Sequence, residues 1–197
     1  MSKVIQIIAG PNGSGKTTFA SALMQHQKAA IYLNPDLIAS GISVKQFEAA
    51  SVQAGRVLIS EVKSLINRES NFCFESTLSG LTWAPILKDA VQRGYRIEIY
   101  FLYLNSIKMN IERIRKRVVS GGHNIPVESV LRRHPRVFNN FWNLYRPMCR
   151  KWTIVNNSNG APKLVMSKGE YDKLEKTAQD KFAKQFLELG YEHGKKI

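Results

Sequence analysis

Gly10-Pro11-Asn12-Gly13-Ser14-Gly15-Lys16-Thr17 fits the pattern G-x-x-x-x-G-K-[ST] at every fixed position. Glycines at these places let successive backbone N–H groups turn inward around a phosphate without Cβ clashes. A helix opening at Lys16 would add the partial positive charge of its N-terminus. Lys16 can reach the outer phosphates of a nucleoside triphosphate, and the Thr17 hydroxyl can hold Mg²⁺. Gly10 to Thr18 is therefore the expected binding segment for ATP and Mg²⁺.

Three further groups have chemistry to offer. Asp36 follows Asn34-Pro35 just past an expected strand, on the side of an α/β sheet where ligands bind. It could accept the proton of an alcohol, or simply cap the segment Leu37 to Ser40. Glu75 ends the apolar run Phe72-Cys73-Phe74. It could orient Mg²⁺ through water, grip a substrate hydroxyl, or be satisfied by Ser76 and Thr77. Thr77 and Ser79 could line an acceptor pocket or cap the next turn.

The third group is basic. Between Asn105 and Lys151 there are eleven Lys and Arg residues against two acids, in a chain of net charge +14. A field so concentrated attracts anions. Arg113 and Arg117 share one helix face, and Arg132 and Arg136 another. Joined by Ser120 to Pro126, with Gly121-Gly122 as hinge, the two helices would form a lid over about residues 113–136 and close over a triphosphate. Tracking a nucleic-acid backbone is the competing use for that charge.

The elements that must position these groups follow from hydropathy. Val4 to Ala9, Ala30 to Leu33, Asn71 to Phe74, Arg96 to Leu104 and Trp152 to Val155 read as strands. Helices are expected over Lys16 to Gln25, Val44 to Arg68, Trp83 to Arg93, Ile107 to Val119, Val127 to Tyr145 and Glu170 to Tyr191, with an edge strand at Lys163 to Met166. Alternation of this kind predicts an α/β fold of P-loop NTPase or kinase type. Its central sheet would be mostly parallel, with helices on both faces and a basic helical lid. The chain's 197 residues fit a single domain, and 44% hydrophobic content excludes wholesale disorder. No apolar stretch is long enough to span a bilayer, and no signal peptide is evident. Cys73 and Cys149 lack metal-ligand spacing and read as a reduced pair in a cytoplasmic protein. A GTPase would carry N-K-x-D, and a motor ATPase would end the Phe72–Phe74 run in Asp; neither feature is present.

Taken together, Gly10 to Thr18, Asn34-Pro35-Asp36, Phe74-Glu75-Ser76-Thr77-Leu78-Ser79-Gly80, and Arg117 to Pro126 with Arg132-Arg133 resemble the zeta toxin family of P-loop kinases. The stretch Gly121-Gly122-His123-Asn124-Ile125-Pro126 is the most specific, and is similar to the branch often labelled "predicted ABC-type ATPase". The resemblance covers residues 3–166 and leaves out the C-terminal helix. It implies an ATP/Mg²⁺-dependent phosphotransferase. The best-known members phosphorylate the amino-sugar 3′-hydroxyl of UDP-N-acetylglucosamine and are restrained by a small antitoxin. Carried over, Lys16 and Thr17 bind triphosphate and metal, with Arg113 beside them. Asp36 is the base, and Glu75, Thr77 and Ser79 meet the acceptor. Arg117 with Arg132 or Arg133 stabilises the migrating phosphoryl group. One position departs: the family's last strand leads to an Asp where this chain has Asn156. A nucleotide or polynucleotide kinase, and a nucleotide-dependent switch without acceptor, are the alternative functions for the same motif.

Overall fold

A computed structural model describes residues 3–26, 31–41, 47–122 and 124–191. Six strands form one sheet in the order β2-β3-β1-β4-β5-β6: β1 (Val4–Ala9), β2 (Ile31–Leu33), β3 (Phe72–Ser76), β4 (Arg96–Tyr103), β5 (Lys151–Asn156) and β6 (Lys163–Ser167). The first five are mutually parallel, and β6 pairs antiparallel with β5. The three-residue β2 stands at one edge and β6 at the other.

The helices are α1 (Lys16–His26), α2 (Pro35–Ser40), α3 (Phe47–Asn67), α4 (Trp83–Gln92), α5 (Ile107–Val119), α6 (Val127–Asn140), α7 (Lys168–Tyr171) and α8 (Lys176–Tyr191). Alternate residues of the central strands feed opposite faces. Ile5, Ile7, Phe72, Phe74, Ile97, Ile99, Phe101, Trp152 and Ile154 enter the large core, with buried side chains of α3, α4 and α6. Ile8, Cys73, Leu102 and Val155 point the other way into a small cluster beside α1, which contributes Ala20, Phe19 and Leu23. Both faces carry helices, as expected, but unequally.

Two differences concern helix ends. The span expected as one helix from Val127 to Tyr145 leaves α-geometry at Asn140, continuing as a π-helical turn (Phe141–Tyr145) and a 3₁₀ turn (Arg146–Met148). Arg146 there stacks on Trp142, its guanidinium 4.2 Å from the ring centre. The expected helix at Glu170 is also divided. Ser167 and Glu170 form a capping box that starts the short α7, and α8 begins only at Lys176. Phe186 of α8 is buried against Phe101, Phe138 and Trp142, so this amphipathic helix packs on the core.

What the sheet order does for the site is simple. β1 is flanked by β3 and β4, and the chain crosses from one side of it to the other. A crevice opens at the carboxyl end of such a switch point. Ala9, Leu33 and Ser76 end their strands there, with Ala9 opposite Ser76 and Leu33 opposite Phe74. Gly10 leaves β1 at φ 139°, and a Cβ on it would lie 2.0 Å from the Leu102 carbonyl oxygen. Gly10→Ala should lower stability by about 3 kcal/mol through strain and overlap with a fixed backbone. Urea unfolding checks this: a midpoint unchanged from wild type would mean the loop can be shifted without cost.

Candidate active site

The loop between β1 and α1 curls beneath a cleft of about 740 Å³. Asn12, Gly13, Gly15, Lys16, Thr17 and Thr18 line it from the loop. Asp36, Glu75, Ser76 and Thr77 line it from the ends of the neighbouring strands, and Arg113, Ile114 and Arg117 from α5. The sequence-predicted groups therefore converge, with exceptions. Gly10 and Pro11 do not line the cleft, and their carbonyls accept from Lys16. Ser14 is fully buried behind the loop. Ser79 does not line the cleft and meets the site through Thr77, whose hydroxyl bonds its hydroxyl at 2.9 Å and accepts from its amide at 3.4 Å.

Lys16 lies over the loop and donates to the carbonyls of Gly10 and Pro11, both at 3.0 Å. Burial pushes its pKa below 10.5, and Arg117 adds to that. The carboxylates of Glu75 and Asp36 pull the other way. The ammonium is thus partly desolvated in the free protein.

Glu75 is 4% exposed and accepts from three side chains on different segments. Thr17 Oγ1 donates to its Oε2 at 3.1 Å, Asn34 Nδ2 to its Oε1 at 3.1 Å, and the Tyr32 hydroxyl to its Oε1. Desolvation and the carboxylate beside it push the Tyr32 phenol well above its ordinary pKa. The sequence alternative in which Ser76 and Thr77 satisfy Glu75 is not what forms. Ser76 Oγ instead accepts from the Leu78 amide. Thr17 and Glu75 together present hard oxygen donors beside the phosphate loop, which suits Mg²⁺: that ion needs one or two protein oxygens and takes the rest from phosphates and water. Among the described residues no cluster of three or more His, Cys, Asp or Glu offers an alternative metal site.

Asp36 is not the cap of α2. Asn34 is: its side chain accepts from the amides of Asp36 and Leu37 at 2.7 and 3.2 Å, and Pro35 occupies the first helical turn. Asp36 is thereby left to face the cleft, where its Oδ2 accepts from Arg117 Nη1 at 3.3 Å. Both partners are part-exposed, so this pair adds little stability.

Arg113 donates through Nη2 to the carbonyls of Asn157 (2.8 Å) and Ser158 (3.3 Å), tying α5 to the turn after β5. Arg132 and Arg133 lie on α6 and are not among the residues lining the cleft. Gly121-Gly122, expected as a hinge, instead closes α5: the Gly122 amide donates to the Arg117 carbonyl at 2.9 Å and the Gly121 amide to that of Val118 at 3.0 Å. With Gly121 at φ 81°, this is a Schellman cap, which satisfies the helix's last carbonyls. His123 lies outside the described residues. Asn156 uses its neutral amide fully. It donates to Asn105 at 2.7 Å and accepts from the amide and hydroxyl of Ser158. An Asp there would still accept from Ser158 but could not donate to Asn105.

Past β3 the chain is held in a strained form. Leu78 has φ 55° while 1% exposed, a conformation that is costly for a bulky residue. Its carbonyl accepts from Asn140 at 3.0 Å, and that of Gly80 from the Tyr145 hydroxyl at 2.6 Å. The turn carrying Thr77 is thereby fixed to the end of α6. Neither cysteine joins the site: both are free and buried, with thiol pKa values pushed up to about 12 mainly by burial.

A family model for zeta toxins matches residues 1–162. The chain belongs to the zeta toxin family. The match spans the phosphate loop, Asp36, Glu75 and both basic helices, and stops short of β6, α7 and α8. An uncharacterized protein of Haemophilus influenzae is 34% identical over 125 residues, covering 64% of this chain and 88% of that one. Among solved structures, one from the PezAT chromosomal toxin-antitoxin system of Streptococcus pneumoniae aligns with TM-score 0.64 at 13% identity. It covers 97% of this chain and 85% of that one. The AvrRxo1-ORF1:-ORF2 complex with ATP aligns with TM-score 0.70 at 14% identity, over 94% of this chain and 64% of the other. At such identities these structures establish the P-loop kinase-like fold. Zeta toxin membership and that fold support a P-loop phosphotransferase.

Tyr32, Asn110 and Asn157 contribute to the site without a sequence signal that named them, and Asn34, quoted in the motif, gains a role there that the motif did not give. Asn110 had a readable signal. It falls on the apolar face of α5, between Ile107 and Ile114, where a polar residue needs a buried partner.

Proposed function

We propose that this protein moves the γ-phosphoryl group of ATP to a hydroxyl of a small acceptor, as a single P-loop kinase domain. UDP-N-acetylglucosamine is the first acceptor to test, because the family implies it. The observation that carries the reading is the placement of Asp36 and Arg117 in the same cleft as Lys16 and the loop.

The inward amides of the loop and the Lys16 ammonium bind the triphosphate tail. Mg²⁺, held by Thr17 and steadied by Glu75, would neutralise phosphate charge. Asp36 accepts the acceptor's hydroxyl proton as that oxygen bonds to the γ-phosphorus and the bond to the ADP oxygen breaks. Arg117, already beside Asp36, takes up charge on the migrating group. Thr77, with Ser79 behind it, offers hydroxyls to orient the acceptor. Arg132 and Arg133 act only if α6 approaches the cleft, so their share is smaller than that of Arg117. Two free cysteines, outside the site, and ATP as substrate suit the cytoplasm. No described helix is long and apolar enough to cross a membrane. The toxin-antitoxin context of the PezAT relative motivates an antitoxin protein as partner.

Purified protein with Mg²⁺-ATP and a panel of sugar nucleotides, nucleosides and 5′-hydroxyl oligonucleotides should give one phosphorylated product by mass spectrometry. Phosphate release without any labelled acceptor would instead identify an ATPase switch. Labelling of oligonucleotides with steep salt dependence would identify a polynucleotide kinase. As a toxin, the wild type should slow growth when expressed, and harmless expression would remove that part of the proposal.

A further inference from the structure

One face of α5 carries Asn110, Arg113 and Arg117, spaced so that they lie in a row. Each reaches a different segment around the cleft. Asn110 Nδ2 donates to the Asn12 carbonyl at 2.7 Å, Arg113 to the turn at Asn157 and Ser158, and Arg117 to Asp36. Asn157 completes a ring, donating from Nδ2 to the Ser14 carbonyl at 2.8 Å, while its own amide is tied to Tyr103 at 2.9 Å. The contact with α5 is also close at the backbone. A Cβ on Gly13 would lie 2.6 Å from the Asn110 carbonyl oxygen, so only glycine lets the loop sit so near.

We propose that Asn110 and Asn157 are positioning residues that preform the phosphate cradle, and that Asn110 also sets the register of the arginine-bearing helix upon it. The inference rests on the phosphate-loop reading above. In a trans peptide the carbonyl and the N–H of the next residue point in opposite directions. Pulling the Asn12 carbonyl toward the Asn110 side chain turns the Gly13 N–H away from that side chain. Pulling the Ser14 carbonyl toward Asn157 does the same for Gly15. Gly13 and Gly15 both line the cleft, which puts these two peptides where a phosphate would bind. Asn110 is fully buried and Asn157 nearly so, which keeps water from competing for the two carbonyls. Without these donors the peptides could flip, and each binding event would have to reorder them.

Calorimetric titration of the full chain with inorganic tripolyphosphate and with ATP, well below the unfolding temperature, tests this. Asn110→Ala and Asn157→Ala should each weaken both probes about tenfold, the equivalent of one net hydrogen bond. Equal loss for the two probes places the defect at the phosphates and not at the base. A merely structural role would lower the melting temperature of the free protein and leave the folded protein's affinity within about twofold of wild type; that result overturns the inference. Should Asn110→Ala fail to fold, Asn157→Ala decides by the same criterion. Wild-type protein that binds neither probe would overturn the phosphate-loop reading, and this inference with it.

Discussion

Asp36→Asn is expected to bind ATP as tightly as the wild type and to transfer phosphoryl groups about 10²- to 10⁴-fold more slowly. The substitution keeps the size of the side chain and its capacity to accept from Arg117, so the local geometry should survive. Removing the charge takes away the proton acceptor. The Asp36–Arg117 pair is part-exposed on both sides, so its weakening should change stability by less than about 1 kcal/mol. Cap loss does not enter, because Asn34 caps α2. Loss of turnover can then be read as chemistry and not as unfolding. Calorimetry for nucleotide affinity, mass spectrometry for product and urea unfolding together decide it. Normal turnover in the variant would remove Asp36 as base; loss of ATP binding in a folded variant would move it to the donor side.

Much of this arrangement is legible in the residues, and what is not has an identifiable cause. The phosphate loop, and the strands Val4–Ala9 and Arg96–Tyr103 beside it, are local signals, and the structure forms all three. Glu75 at the end of β3 is also local, but its partners are not. Thr17, Tyr32 and Asn34 reach it only because β2, β3 and the start of α1 meet at the carboxyl end of the sheet, and no spacing in the chain shows that. The same holds for Asn110 and Asn157, whose loop partners are distant in sequence. Asn34 and Asp36 are both good caps by type, and Pro35 separates them. A proline at the first helical position favours the residue before it as cap, and the structure follows that rule. Gly121-Gly122 shows the opposite ambiguity. A glycine pair can give a hinge or a helix stop, and the difference lies in whether its amides find the carbonyls of Arg117 and Val118. Capping boxes are more explicit, and Ser167-Lys168-Gly169-Glu170 marks the start of α7 in plain sequence.

Lys16→Ala should lower tripolyphosphate and ATP affinity at least about 100-fold, a loss of two charge-assisted hydrogen bonds, while leaving the stability of the free protein nearly unchanged. The asymmetry comes from desolvation. Burial lowers the pKa of Lys16, so the folded protein holds that proton less tightly than the unfolded chain does. The charged form therefore costs stability at neutral pH. That cost disappears as pH rises through the folded pKa toward 10.5, where the unfolded chain also loses its proton. Alanine removes this penalty along with the hydrogen bonds to Gly10 and Pro11, and the two changes oppose each other. A bound triphosphate reverses the balance, because negative charge beside the ammonium raises its pKa. Wild-type affinity should then fall with pH on the alkaline side, as the free protein's Lys16 deprotonates, and Lys16→Ala should lack that limb. Calorimetry across neutral to alkaline pH, paired with urea unfolding of the free proteins, measures both halves. An alkaline limb of equal size in the variant would place the titrating group elsewhere. A large drop in the variant's stability would mean that the hydrogen bonds to the loop carbonyls outweigh the cost of burying the charge.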